Sequence, residues 1–181
     1  MPDLNMPRLA PITLALLIAT SAHAADPIPA ASVVRFYTVC TNCHEGECSG
    51  RLSFQTGAQE ARSHIQRYLG NVTDSEAENL FGLLRYTKEQ CAHYPLASPL
   101  QPGNQLGAKE LAAWRNPQEG GYFIPLSRLG KGEYELRLAF SVVGNGKVKL
   151  TDDRFDPLLE ENLCPQQSAL EFRFKAEGRP H

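Results

Sequence analysis

The stretch Cys40-Thr41-Asn42-Cys43-His44 decides how the rest of the chain is read. Two thiols separated by two residues fall on one side of a single turn, and the histidine that follows aims its imidazole at whatever the thiols hold. That is the pattern of covalent haem attachment, in which both sulfurs bond to porphyrin vinyls and the imidazole ligates the iron. Cys40, Cys43, His44 and Cys48 would also serve as four zinc ligands. A structural zinc site in an exported chain competes with disulfide formation, so haem is the reading carried forward.

Upstream, Val33, Val34, Phe36, Tyr37 and Cys40 recur at helical spacing from Ser32 to Cys40 and predict a helix leading into the motif. Downstream, Glu45 to Gln55 is short of apolar residues and holds Gly46 and Gly50, which predicts a loop across the haem edge. Gly57 to Leu69 reads as helix, with Ala58, Ala61, Ile65, Tyr68 and Leu69 on one side and Gly70 as its stop. Thr73-Asp74-Ser75-Glu76 is a capping box, in which hydroxyl and carboxylate reciprocally satisfy free backbone donors. The helix it opens is expected to run to about His93, burying Ala77, Leu80, Phe81, Leu84 and Cys91, with Pro95 ending it.

Pro95, Pro99 and Pro102 then punctuate the chain and mark a boundary. A short helix is expected at Leu106 to Trp114. After Gly120-Gly121 the pattern changes to strand-like, at Tyr122 to Leu126, Tyr134 to Val143, Lys147 to Leu150 and Leu170 to Lys175. The Asn-Gly step in Gly144-Asn145-Gly146 predicts a tight hairpin between the middle two. The fold class expected is therefore α+β: a small all-α haem domain (25–97), a linker with a short helix (98–120) and a small antiparallel β module (121–181), preceded by a signal peptide (1–24).

Over roughly residues 30–94 the chain resembles the class I c-type cytochromes, through the entry helix, Cys40-x-x-Cys43-His44, and a closing helix with Leu80, Leu84 and Tyr86. The resemblance implies one covalent haem c, held by Cys40 and Cys43, with His44 as the proximal iron ligand. Two departures bear on the iron. The only methionines are Met1 and Met6, within the signal segment, and no proline lies between His44 and Pro95. The family's usual methionine ligand is thereby excluded. His64, on the apolar side of its helix beside Ala61, Ile65 and Tyr68, is the proposed distal ligand; its plainer reading is a boundary histidine. His93, at a helix end where a cation is favoured by the helix dipole, ranks behind it, and His181 is set aside. Phe36, Tyr37 and Phe54 are candidates to edge the ring, or simply to fill core.

The remaining features set the surroundings. Eighteen basic and twenty acidic residues give a net charge of minus two, no electrostatic footprint for nucleic acid. Arg8, the apolar run Ile12 to Ala19 and Ala22-His23-Ala24 read as an export signal cleaved before Ala25, with a run too short to span a membrane. Export implies a periplasmic location and permits disulfides. Cys48, Cys91 and Cys164 leave one disulfide and one thiol; Cys48–Cys91 is favoured over Cys91–Cys164, and Cys48 as a haem ligand is the lesser alternative. Asp152, Asp153, Asp156, Glu160 and Glu161 miss calcium-loop spacing and read as a solvated acidic loop. The β module reads as a docking or scaffolding element. These features lead to a periplasmic single-haem carrier passing electrons between redox partner proteins, not an enzyme, with bis-histidine iron. The alternatives are a haem sensor or ligand-binding protein with an open distal site, and a zinc-stabilised interaction protein.

Overall fold

A computed structural model describes residues 27–44, 57–126, 128–140, 146–164 and 168–177. The expected signal peptide, the expected loop after His44 with Cys48 and Phe54, and the Gly144-Asn145 step lie outside these residues.

The three expected helices are present: α1 (Ala30–Val39), α2 (Ala58–Leu69) and α3 (Asp74–Gln90). Helix α1 begins after Pro29 with no side-chain cap, whereas α2 and α3 begin where a side chain supplies one. The Glu60 carboxylate accepts the Gly57 N–H at the head of α2 (2.9 Å), and the Thr73 hydroxyl accepts the Glu76 N–H at the head of α3 (3.1 Å). The Glu76 carboxylate is drawn elsewhere, to the Arg35 guanidinium of α1. The same guanidinium donates to the Leu69 carbonyl and to Gln118, so one cation ties α1 to the end of α2 and the start of α3.

Helix α3 stops at Gln90, short of the expected His93. Cys91 takes a left-handed conformation (φ 50°), uncommon for a side-chain-bearing residue, and this turns the chain out of the helix. Val33 and Phe36 of α1, Ile65 and Leu69 of α2, Val72, and Ala77, Leu80 and Leu83 of α3 form one continuous apolar cluster. Fully burying each such side chain contributes about 1.5–3 kcal/mol. Stacking them holds the three helices in one arrangement. Among the described residues no helix is long and apolar enough to cross a membrane.

The short helix expected at Leu106 to Trp114 forms as α4 (Ala108–Leu111) with a 3-10 turn over Ala112–Trp114. Asn116, 2% exposed, donates from its side chain to the Thr38 hydroxyl of α1 (2.9 Å) and braces this connection against the entry helix.

The β region is antiparallel, as expected, but its pairing is different. The strands are β1 (Gly132–Ala139), β2 (Gly146–Thr151), β3 (Pro157–Leu163) and β4 (Ala169–Ala176), and β1 pairs with β4 while β2 pairs with β3. The hairpin predicted between the middle strands is thus replaced by a nested arm, with the β2–β3 ladder beyond the β1–β4 ladder. Side-chain matching favours this register. Tyr134, Leu136 and Leu138 oppose Phe174, Phe172 and Leu170 on one face, while Glu135 opposes Arg173 and Arg137 opposes Glu171 on the other. Tyr122 to Leu126 contributes only isolated bridges, Arg115 to Tyr122 and Leu100 to Leu126, not a strand.

The acidic stretch is also a correction, since Glu160 and Glu161 lie in β3 and Asp152 builds the turn before it. The Asp152 carboxylate accepts the N–H groups of Arg154 (2.8 Å) and Asp156 (3.0 Å). This is the local side-chain turn that aspartate favours. The whole is a mixed α+β fold.

Candidate functional site

The central motif continues α1. Cys40–Asn42 forms a single 3-10 turn, and the N–H groups of Cys43 (3.2 Å) and His44 (2.9 Å) both donate to the Cys40 carbonyl. Side chains pin the turn to the helix: the Thr41 hydroxyl donates to the Tyr37 carbonyl (2.8 Å) and Asn42 to the Thr38 carbonyl (3.3 Å). Cys40 and Cys43 are free thiols, the first half-buried and the second exposed.

These three side chains stand at one wall of a cavity of about 330 Å³. Phe36 and Val39 of α1 line it, together with Ala61, His64, Ile65, Tyr68 and Leu69 of α2, and Leu80, Phe81 and Leu84 of α3. The lining follows helical spacing on α2 and on α3, because residues three and four apart share a face. The result is an apolar slot whose polar atoms are concentrated in the thiols, two imidazoles and one phenol.

The rings of His44 and His64 meet edge to face there, with centroids 5.8 Å apart and planes at 70°. Burial, then the nearby His64 and Lys88, hold the His44 pKa below its ordinary value, which keeps its lone pair available. Burial also pushes the Cys40 thiol up to about 11, against the pull of Arg35. His64 is exposed at the mouth of the slot, its ring 5.0 Å from that of Tyr68, which is 55% exposed.

His93 lies elsewhere. Its ring packs against Tyr37 (4.9 Å), Phe123 (5.8 Å) and Phe155 (4.0 Å), where the arm meets the helices. Of the candidates to edge the ring, Phe36 lines the slot, Tyr37 stacks on Phe123 instead (4.2 Å), and Phe54 lies outside the described residues; Tyr86 of the closing helix packs on Tyr94 (5.2 Å). Val39, Phe81 and Tyr68 are slot residues that attention to the motif alone passes over; helical spacing from Leu84 and His64 finds the last two. Among the described residues no three histidine, cysteine or acidic side chains gather as a metal-binding group; Cys48, the fourth ligand of the zinc alternative, lies outside them.

No protein-family model matches the chain, and neither the curated proteins nor the solved structures contain a significant match.

Proposed function

We propose that the chain is an exported single-haem c-type electron-transfer protein. The observation that carries this reading is the pair His44 and His64, brought together edge to face in an apolar slot that the thiols of the attachment motif also line. The donor set suits a haem: Cys40 and Cys43 would hold it covalently, and His44 and His64 would ligate its iron. When bound, the iron alternates between ferric and ferrous and so carries one electron.

The chain's own residues supply the rest. Cys40 and Cys43 would each hold the porphyrin through a thioether, the thiol adding across a vinyl group so that sulfur takes one carbon and hydrogen the other. Burial keeps a proton off His44, so a neutral imidazole is presented. Phe36, Leu80, Phe81 and Leu84 exclude water from the slot, and a second nitrogen ligand lowers the potential relative to a methionine. The Cys48–Cys91 disulfide, if formed in the oxidising compartment, would clip the segment after His44 to the end of α3.

The exposure of His64 favours one second reading, a ligand-binding haem protein in which this histidine is displaced. Both readings meet the same experiment. The exported protein is expected to carry a covalent porphyrin by mass, and to show a low-spin spectrum on reduction that carbon monoxide does not change. His64→Ala is expected to become carbon monoxide-sensitive. A wild-type spectrum shifted by the gas would favour the second reading, and a mass equal to that of the bare chain would overturn both.

A further inference from the structure

The tip of the β arm returns to the helical part at His93 and, through Phe155, at Tyr37 (ring centroids 6.5 Å). The His93 N–H donates to the Asp153 carbonyl (3.0 Å), its Nε2 lies 3.0 Å from the Thr151 hydroxyl, and its ring meets that of Phe155 at 4.0 Å. Phe155 itself is held at φ 70° by the Asp152 turn. On the helical side the same imidazole rests on Tyr37 and Phe123. Its other nitrogen, Nδ1, is buried without a hydrogen-bond partner among the described residues.

That arrangement suits only a neutral ring. A proton on Nε2 is donated to Thr151, and Nδ1 then carries a lone pair, whose burial costs less than that of an unmatched donor. A second proton would place a charged N–H on Nδ1 among aromatic rings, and a buried charged donor left unsatisfied is costly. We propose that His93 is a proton-operated latch: it fastens the tip of the β arm to the helical part while neutral and releases it on taking a second proton.

The groups facing the ring set its balance. Asp152 and Asp153 of the tip favour the proton, Lys149 of β2 opposes it, and Tyr37 of α1 and Phe123 offer ring surface. Burial outweighs the two carboxylates and holds the imidazole down to about 4 from its ordinary 6.5. Because the docked state lowers the pKa, docking is at full strength above pH 6.5 and is lost as the pH falls toward 4. Below that window the docking equilibrium is weakened roughly 300-fold.

The test is nuclear magnetic resonance of the full chain titrated from pH 7.5 to 4. The His93–Phe155 contact and the protection of the His93 amide are expected to disappear together, in step with titration of the His93 ring. His93→Phe, which keeps an aromatic ring without a titrating group, is expected to hold the tip through the same range. Titration of His93 with its contact to Phe155 intact would overturn the latch. So would release of the tip in His93→Phe at the wild-type midpoint. Should that variant not fold, the wild-type titration alone decides.

Discussion

The helical part and the β arm use their apolar residues in opposite ways. In the helices they converge from three directions on a single cluster, where Val33 and Leu83 are 0% exposed. Along the arm they are spread over two ladders of two strands each, and the buried members are Leu150 and Phe172. A two-stranded ribbon is marginal alone because each strand covers only one edge of its neighbour. The arm is further supported by opposite charges across the ladder, such as Arg173 with Glu135 (3.3 Å) and Lys147 with Glu160 (2.6 Å), and exposed pairs of this kind contribute little. The difference teaches that the slot is borne by the rigid part of the molecule, while the arm depends on its ladder bonds and on the contact of its tip.

The sharpest way to break this comparison is to hollow the cluster. Leu83→Ala is expected to cost about 2–5 kcal/mol in chemical denaturation; a cost as small as that of an exposed substitution would mean that the helices are not the stable part. Native-state amide exchange sharpens the contrast without any substitution. Amides of β1 and β4 are expected to exchange more than tenfold faster than those in the middle of α3 after correction for intrinsic rates, a gap of about 1.4 kcal/mol or more in opening free energy. Equal protection would show that the arm and helices open as one unit. The smallest effect tests how much of α3 is fixed locally. Thr73→Ala removes the hydroxyl that caps Glu76 and is expected to cost about 1 kcal/mol, read as a shift in the denaturation midpoint at unchanged slope.

Much of the helical part is legible in the sequence, because its signals are local. The spacing of Val33, Phe36, Ile65, Leu69, Ala77 and Leu80, and the cap at Thr73, lie within a few residues of what they determine, whereas the spacing points to Leu84 where the structure buries Leu83 most deeply. The placing of His64 beside His44 follows from the same periodicity. Tyr37 illustrates the limit: it adjoins Phe36 but points about 100° away around the helix, and nothing local says which of the two directions meets the slot. Tyr37 turns instead to Phe123 and His93, partners far along the chain. The end of α3 was obscured because nothing in the residue type at Cys91 announces a left-handed turn.

The β pairing was hidden for a related reason. The Asn-Gly step is a strong short-range signal, whereas the match of Tyr134, Leu136 and Leu138 to Phe174, Phe172 and Leu170 appears only when distant segments are laid antiparallel. The acidic run reads as solvated loop until Asp152 is recognised as a turn-former that accepts two backbone N–H groups. A charge pattern that looks merely polar in one dimension becomes a register once its partner strand is known.

The nested order of the strands has a mechanical consequence. Gly132 and Ala176 are paired at the base of the outer ladder, and antiparallel hydrogen bonds run perpendicular to the strands. A pull separating those two residues therefore loads the bonds in succession, like the teeth of a zipper. The β1–β4 ladder would open first and the β2–β3 ladder afterwards, each step at low force. Tension between the tip and the base would instead run along the strands and load many bonds in shear at once, making the arm soft to one direction of pulling and stiff to the other.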